Sequence, residues 1–240
     1  MNAYKKVLCI ASTGLLLSTA TLLAAERSAL DIMNKAFQHT GSMDKYAFNA
    51  VIVDNDVQED GTIIPYRYNT SVKVDRPGNL RVDTKSEFIN RSSYVHDGLY
   101  TIIEHGHGYY GQLKVPKTID KALDSIFTNY DIKAPLASLI YSDMNKRVKF
   151  NSSKYFGTMD VGGVECDYVA FKSKVREVHV WITTAEVPMV KTSSIIDTTT
   201  QPNGRTNTTI TWIKNPNISD NDFIFQAPKG AKKISVLTAN

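Results

Sequence analysis

Hydrophobic and polar positions alternate along much of this chain with a period of two. The alternation is longest between Tyr66 and Lys85, where apolar side chains at even positions alternate with polar or charged ones at odd positions. The turn Arg76–Asn79 divides this stretch into two runs. Because successive side chains of a strand point to opposite faces, the alternation predicts an antiparallel pair of strands with one buried and one solvated face.

Similar runs continue along the chain from Tyr46 and are separated by short turn signals that contain glycine. Asp97-Gly98 and Asn203-Gly204 each lie between two strand-like runs, as the turns of β-hairpins do. We expect about ten strands in all, and a sheet of that size curls rather than staying flat. The predicted fold class is therefore mainly β, an α+β arrangement with three helices.

Residues 27–40 and residues 118–141 show the longer period of amphipathic helices instead. The first segment places three apolar residues on one face, namely Leu30, Met33 and Phe37. Thr118 provides an N-cap for a second helix, and Pro135 fits the first turn of a shorter third one. Helices of this length are not stable alone, so we expect them to cover the apolar face of the sheet.

The N-terminus has the features of a secretory signal peptide. Lys5 and Lys6 precede an uncharged apolar run over residues 7–23, and Ala24-Ala25 offers a cleavage site with small residues. The run is short for a membrane span and is diluted by glycine, serine and threonine. We therefore expect residues 1–25 to be a signal peptide and residues 26–240 to form one exported, soluble domain.

The charge argues against nucleic acid as a partner, and the cysteine content argues against an intramolecular disulfide. The formal charge of +4 falls to +2 once Lys5 and Lys6 leave with the signal, and no dense cluster of lysine and arginine remains. Nucleic acid is therefore not expected as a partner. Cys166 is the only cysteine left in the exported chain, so it has no intramolecular disulfide to form. Its strand-like surroundings predict a buried small hydrophobe.

No cluster of residues specifies a reaction. Gly106–Gly111 has the spacing of a dinucleotide-binding loop, but an extended segment ending in proline follows it, which favours a glycine-rich hairpin. His105 and His107 could share a strand face, yet a metal site needs three or four converging ligands. We predict no cofactor, no metal and no catalytic residue. An enzyme would instead require His96, His105 and a carboxylate to converge in a cleft.

Several motifs, read in order, resemble periplasmic LolA-type lipoprotein carriers. Arg76–Arg81 resembles the strand turn of those proteins, His96–Ile102 the hairpin that follows it, and Phe223–Ala231 their ending. Over nearly all of the exported chain, the sequence more closely resembles a family of predicted periplasmic proteins of unknown function. The segments that carry this second resemblance include Tyr109-Tyr110, Val164–Phe171 and Val180–Ile182.

The resemblance implies a half-barrel over residues 26–240, a single strongly curved antiparallel sheet with amphipathic helices on its concave face. In the carriers that concavity holds acyl chains, and an arginine lies near it. The equivalent arginine here is left open among Arg67, Arg76, Arg81 and Arg91. We expect an apolar groove lined by six residues of the buried strand face: Phe48, Tyr66, Tyr68, Val72, Leu80 and Val82. For any single aromatic residue, ordinary core packing is the alternative, and it is the expectation for Trp181 and Trp212.

The leading hypothesis is a periplasmic, monomeric binding module that carries a lipid, an acyl chain or a lipoprotein and catalyses no reaction. Burying an acyl chain contributes about 0.8 kcal/mol per methylene, so an apolar trough can hold an amphiphile without catalytic residues. The alternative is a structural or interaction protein of the envelope whose own side chains fill the groove. That alternative implies an envelope protein as the partner.

Overall fold

The computed structural model describes residues 27–134 and 136–239, and all strands of these residues belong to one sheet. The predicted signal peptide and Pro135 lie outside the described residues. The helices are α1 (Ala29–Ser42), α2 (Ile119–Tyr130) and α3 (Met144–Arg147), with 3₁₀ turns at Ala137–Leu139 and Asp220–Asp222. The strands are β1 (Lys45–Val57), β2 (Ile63–Asp75), β3 (Asn79–Lys85), β4 (Asn90–His96), β5 (Leu99–Glu104), β6 (Tyr109–Lys114), β7 (Ser152–Asp160), β8 (Glu165–Lys172), β9 (Arg176–Thr183), β10 (Val190–Asp197), β11 (Arg205–Trp212) and β12 (Lys232–Lys233).

The sheet is open and curved, and its strand order is β12-β6-β5-β4-β3-β2-β1-β11-β10-β9-β8-β7. Every pair is antiparallel except β12 and β6, which run parallel. Strands β1 to β6 and strands β7 to β11 therefore form two meanders, joined where β1 pairs with β11. The predicted fold class is confirmed, with twelve strands in place of about ten.

The predicted hairpins form in the expected places. Val72 pairs with Val82 and Val74 with Leu80, so the buried faces of β2 and β3 coincide. Asp97 and Gly98 both adopt positive φ, at 43° and 74°, and join β4 to β5 in a two-residue turn. A turn of this kind needs two left-handed residues, which explains the Asp-Gly pair. Asn203-Gly204 ends the longer link between β10 and β11.

The first two helices form close to their predicted bounds. Ser28 caps α1 by accepting a hydrogen bond from the backbone N–H of Asp31 at 3.3 Å. α1 packs against β7, β8 and β9, where Met33 and Phe37 are buried in the core. α2 begins at Ile119, directly after Thr118, and ends at Asp131, which adopts a left-handed conformation with φ of 50°. Both helices thus cover the apolar face of the sheet, as predicted.

The predicted third helix over the last part of residues 118–141 does not form. Leu136 adopts a left-handed conformation, and only a 3₁₀ turn over Ala137–Leu139 follows it. The carbonyl oxygen of Leu139 accepts a hydrogen bond from the hydroxyl of Tyr46 at 2.8 Å, and that of Ile140 accepts one from Arg76 at 2.8 Å. A left-handed Leu136 cannot lie within a right-handed helix, so the predicted helix is reduced to this single turn, and the tertiary bonds hold the turn in place.

The core lies on the concave face, where the rings of Phe48 and Trp212 meet at 4.9 Å. Trp212 packs there as predicted, and its indole N–H donates to the carbonyl of Val190 at 2.9 Å. Cys166 is fully buried, also as predicted. The expectation for Trp181 is wrong, because it lies on the outer face of the sheet and stacks on Tyr168 at 4.6 Å. Period-two alternation fixes the two faces but does not reveal which one is convex.

The segment after β11 crosses the outer face of the first meander. Phe223 is fully buried, and Phe225 lies between Tyr94 and Tyr110, with ring centroids 5.6 Å and 5.1 Å away. Asp222 accepts a hydrogen bond from Lys73 on β2. This hydrogen bond, with a second from the backbone N–H of Ser219, lowers the pKa of Asp222 to about 2. The segment is therefore held by aromatic packing together with one ion pair.

We expect Asp222→Asn to remove an acid-sensitive part of the stability. The folded-state pKa of Asp222 lies below its ordinary value of 3.8, so this stabilisation is complete above that pH and is lost as pH falls towards 2. Because the side chain is 20% exposed, solvent screening limits the effect to about 1 kcal/mol. Urea unfolding of wild type and variant at pH 7 and near pH 2 measures the difference.

Asp220→Asn is the matched control, because Asp220 is exposed and forms no ion pair among the described residues. It should unfold like wild type at both pH values. If Asp222→Asn and Asp220→Asn have equal unfolding free energies at neutral pH, the ion pair with Lys73 does not stabilise the C-terminal segment.

Candidate functional site

A cavity of about 300 Å³ lies on the concave face of the first meander, beneath the end of α2. We call it the concave cavity. Its sheet wall includes Leu80, Val82 and Ile102, and its roof comes from Leu123 and Ile126 of α2 together with Ile132 and Ala134. The lining is mostly apolar, so the cavity can hold a hydrocarbon group. Its centre has no cluster of polar or titratable side chains among the described residues.

Local sequence explains why the roof forms there. Leu123 and Ile126 are three residues apart, so they share the face of α2 that packs on the sheet. Asp131 then turns the chain, and its backbone N–H bonds to the carbonyl of Phe127 at 3.0 Å. The next N–H, that of Ile132, bonds back to Ile126 at 3.2 Å. This helix ending directs residues 132–134 across the opening between α2 and the sheet.

The six predicted groove residues divide into three groups. Tyr68, Leu80 and Val82 line the concave cavity. Phe48 and Val72 are completely buried in the adjoining core and do not line it. Tyr66 lies towards the far end of β2, where its ring meets that of Phe88 edge-on at 6.3 Å. The structure therefore brings three of the six together around the cavity.

The polar groups of the lining are mostly paired with one another. The hydroxyls of Thr70 and Thr84 lie 3.2 Å apart, and the hydroxyl of Ser93 is 3.3 Å from that of Tyr100. Burial is the main cause that raises the pKa of Tyr100, which keeps its phenol neutral. Each of these pairs uses one hydroxyl hydrogen, so the accepting hydroxyl of each pair keeps its own donor. The sheet wall is thus apolar with a few hydroxyl groups.

Charged side chains occur in the lining of the cavity. Asp54 accepts a hydrogen bond from the hydroxyl of Thr206 at 2.7 Å. Arg91 forms an ion pair with Glu104 at 3.3 Å, and Lys133 is exposed beside the roof segment. Among the described residues Lys133 has no carboxylate within 4.0 Å. The lining thus has charged groups at its edge and an apolar interior.

The four candidate arginines lie in different places. Arg91 is the one that lines the concave cavity. Arg81 lies on the outer face, with its guanidinium 5.2 Å from the ring of Tyr94, and Arg67 is exposed on the same face. Arg76 is 11% exposed and lies next to the core. Of these four, Arg91 is therefore the one that borders the concave cavity.

Arg76 connects three segments that are distant in sequence. Its guanidinium donates to the carbonyl of Ile140 at 2.8 Å, to that of Met43 at 3.2 Å and to the hydroxyl of Tyr46 at 3.2 Å. Asp120 in the first turn of α2 lies 3.7 Å from it. Burial is the main cause that raises the pKa of Tyr46. This arginine fixes the start of α2, and so positions the roof of the cavity.

The histidines considered as candidates for catalysis do not converge. His96 ends β4 and bonds to the amide oxygen of Asn79 at 2.8 Å. His105 bonds to the hydroxyl of Ser92 at 2.8 Å, and its backbone pairs with Asn90 at the opposite end of β4. Among the residues that the structure describes, no group of three or more histidine, cysteine or acidic side chains could hold a metal ion.

Sequence reasoning missed part of the cavity wall. Leu123 and Ile126 belong to the helix predicted to cover the sheet, but they were not assigned to the site. Ile52 and Ile102 were not assigned to it either, and Arg91 was left as one of four candidate arginines. Strand parity could have identified Ile52 and Ile102, since each pairs across the sheet with a cavity-facing residue: Ile52 with Tyr68, and Ile102 with Ser93.

A family model matches residues 29–237, which include every described strand and helix. The chain belongs to the family of predicted periplasmic proteins known as DUF2092. The family resemblance inferred from the sequence is thereby confirmed. No curated protein sequence matches this family member. None of its described helices is long and apolar enough to span a membrane.

Solved structures are similar to this DUF2092 protein at low sequence identity. An uncharacterized conserved protein from Thermus thermophilus has a TM-score of 0.53 and 8% identity, over 87% of this chain and 99% of that one. The lipoprotein LppX from Mycobacterium tuberculosis has a TM-score of 0.49 and 11% identity, over 80% and 98%. A LolA superfamily protein from Nitrosomonas europaea has a TM-score of 0.38 and 13% identity, over 83% and 99%.

Proposed function

We propose that this protein binds the hydrocarbon chain of a lipid, either free or attached to a lipoprotein, in the concave cavity. It acts as a periplasmic carrier or binding module and not as an enzyme. The observation that supports this most strongly is the mostly apolar cavity enclosed between the sheet and α2. Leu80, Val82 and Tyr68, expected from the sequence to contact a guest, form part of its wall.

The size of the cavity favours one chain over several. Its volume of about 300 Å³ is at the lower end of the range for small-molecule sites. A cavity of about 150 Å³ accommodates benzene, so this one has room for about twelve carbon atoms. Burial of each methylene contributes about 0.8 kcal/mol, which makes a chain of that length a sufficient source of affinity.

Access to the cavity is through the roof segment at residues 132–134. This segment has no regular secondary structure and lies between α2 and the sheet. Lys133 is the middle residue of this segment, and Arg91 lines the same cavity. A guest enters when the segment moves outward, and its polar end then remains near these two cations while its chain contacts Leu123 and Val82.

Location and partners follow from the family and the N-terminus. We propose that residues 1–25 direct export and are removed, and that residues 26–240 act as one monomeric domain in the periplasm. A lipid, an acyl chain or a lipoprotein is the cargo, and an envelope protein is the source or acceptor of that cargo. Nucleic acid is not proposed as a partner, because the exported chain carries a formal charge of only +2.

A second candidate function has support from the other half of the concave face. There α1 and the turn at Ala137–Leu139 pack against the sheet, and Phe48, Val169 and Ile182 are almost completely buried. This half is filled by the protein's own side chains. A structural or interaction role in the envelope would use the molecule without any cargo, and the occupancy of the concave cavity distinguishes the two functions.

The test uses the exported chain, residues 26–240, purified without detergent. Native mass spectrometry should show a fraction with one extra lipid-sized mass, and organic extraction should release a chain-bearing molecule. A fluorescent dodecanoate derivative should bind to the emptied protein with a stoichiometry of one, and unlabelled dodecanoate should displace it. A protein that is empty after purification and that binds no probe has the second function and not the first.

A further inference from the structure

The outer face of the second meander carries a groove that is separate from the concave cavity. We call it the outer groove, and it has a volume of about 400 Å³. It follows β10, where Thr192 and Ser194 form a floor of small side chains. In the sheet register Thr192 lies opposite Trp181 on β9, and Ser194 lies opposite Asn207 on β11. Large side chains on both neighbouring strands therefore form the banks.

One bank is aromatic and rigid. Trp181 stacks on Tyr168 with a centroid distance of 4.6 Å and an interplanar angle of 4°, and Tyr168 stacks in turn on Phe156 at 4.7 Å. His179 is fixed beside them by hydrogen bonds to the hydroxyl of Tyr168 at 2.7 Å and to Glu177 at 3.1 Å. The stack covers the indole face towards β8. The other face borders the groove, where the opposing residue on β10 is only a threonine.

The floor and the second bank are mostly polar, although Ile196 also lines the groove opposite Arg205. The hydroxyl of Thr192 donates to the carbonyl of Thr208 at 2.7 Å. Ser194 is 7% exposed, and its hydroxyl has no hydrogen-bond partner among the described residues. Buried hydroxyls are nearly always paired, and this oxygen lies just beneath the floor, where rotation of the serine side chain would bring it to a polar guest. Arg205 is exposed on the second bank with no carboxylate within 4.0 Å among the described residues.

We propose that the outer groove binds an extended oligosaccharide that carries a carboxylate group. The weakly positive C–H face of a sugar ring is attracted to the negative face of an indole, and the open face of Trp181 offers that surface. Sugar hydroxyls can pair with the amide of Asn207, and with Ser194 once its hydroxyl rotates towards the groove. The guanidinium of Arg205 can bind a carboxylate in a bidentate manner.

The polar floor argues against a hydrocarbon guest at this site. An acyl chain would leave the hydroxyl of Ser194 unpaired and would gain little from the amide of Asn207. An acidic peptide could pair a carboxylate with the guanidinium of Arg205, but it has no flat C–H face to place on Trp181. The site lies on the opposite face of the sheet from the concave cavity, so it does not depend on the proposed lipid function.

Isothermal titration calorimetry on residues 26–240 tests the proposal with three probes. These are a linear trimer of galacturonate, the neutral trimer maltotriose and the peptide triglutamate. We expect the galacturonate trimer to bind, and both other probes to bind at least about tenfold more weakly. Trp181→Ala should lower the affinity for the galacturonate trimer by at least about tenfold. Arg205→Gln should reduce its affinity to that of maltotriose.

Two further variants keep the test informative if Trp181→Ala proves unstable. Ser194→Leu raises the floor of the groove and leaves Trp181 in place, and it should also abolish binding. Lys174→Gln removes one positive charge from the turn between β8 and β9, away from the groove, and should bind like wild type. The melting temperature of each variant reports on folding.

Three results would each overturn the assignment. One is the absence of heat with the galacturonate trimer at millimolar concentration. Another is equal affinity for triglutamate, which would make the site a peptide site. The third is binding that survives both Ser194→Leu and Arg205→Gln, which would place the sugar elsewhere on the protein.

Discussion

The Val82→Phe variant is expected to lose affinity for the fluorescent dodecanoate derivative by about a hundredfold. Val82 is 7% exposed and lies in the sheet wall of the concave cavity. The larger ring occupies space that several methylenes of the guest would fill, and each lost methylene costs about 0.8 kcal/mol. Loss of about four methylene contacts, near 3 kcal/mol, corresponds to that hundredfold change. Fluorescence titration of the emptied protein gives the dissociation constant.

Val53→Phe makes the same substitution on β1 at a position that faces the outer surface, outside the concave cavity. It should leave the dissociation constant unchanged within about twofold, because it adds no atoms to the cavity. Overpacking of Val82→Phe is expected to cost about 1–3 kcal/mol of stability, so its circular dichroism and melting curve must show a folded protein. A folded Val82→Phe variant with wild-type affinity would place the hydrocarbon site elsewhere.

The Arg76→Ala variant should lower the free energy of unfolding by about 3 kcal/mol, because three part-buried hydrogen bonds of about 1 kcal/mol each are lost. The guanidinium is 11% exposed, so solvent cannot replace its bonds to the carbonyls of Met43 and Ile140. Asp120 would lose its counter-ion at the start of α2. Urea unfolding followed by circular dichroism measures the loss.

Arg67→Ala is the matched control, since Arg67 is exposed on the outer face of the neighbouring strand β2. Its unfolding free energy should change by less than about 0.5 kcal/mol. Arg76→Lys should recover only part of the stability, because a lysine cannot reproduce the fork of N–H donors. A loss below about 1 kcal/mol for Arg76→Ala would contradict the view that this side chain unites the three segments.

Much of the fold follows from local sequence. The period of two between Tyr66 and Lys85 fixes the faces of β2 and β3, and Asp97-Gly98 fixes the next turn by its need for positive φ. α1 and α2 follow from stripes at helical spacing. The helix expected near Pro135 is interrupted by the left-handed Leu136, and Tyr46 and Arg76 hold the remaining turn through the carbonyls of residues 139 and 140. Those partners are distant in sequence, and no local pattern contains them.

The candidate site was harder to predict for the same reason. Alternation places Phe48, Val72 and Val82 on one face, but it does not say which part of that face the helices fill. Phe48 and Val72 lie under packed side chains, whereas Val82 lies where α2 leaves a space. The difference depends on where α2 ends, and Asp131 determines this by a single left-handed residue.

The pairing of β1 with β11 affects how the protein can assemble. Phe48 and Trp212 are neighbours across this pair, so the middle of the sheet joins residues from near the two ends of the chain. Topologies dominated by such long-range pairs fold slowly, because a large loop must close before the contacts form. In the proposed export, the first meander would emerge early and would have an unpaired edge until β11 arrives. Its exposure to aggregation in that interval is set by the rate of translocation.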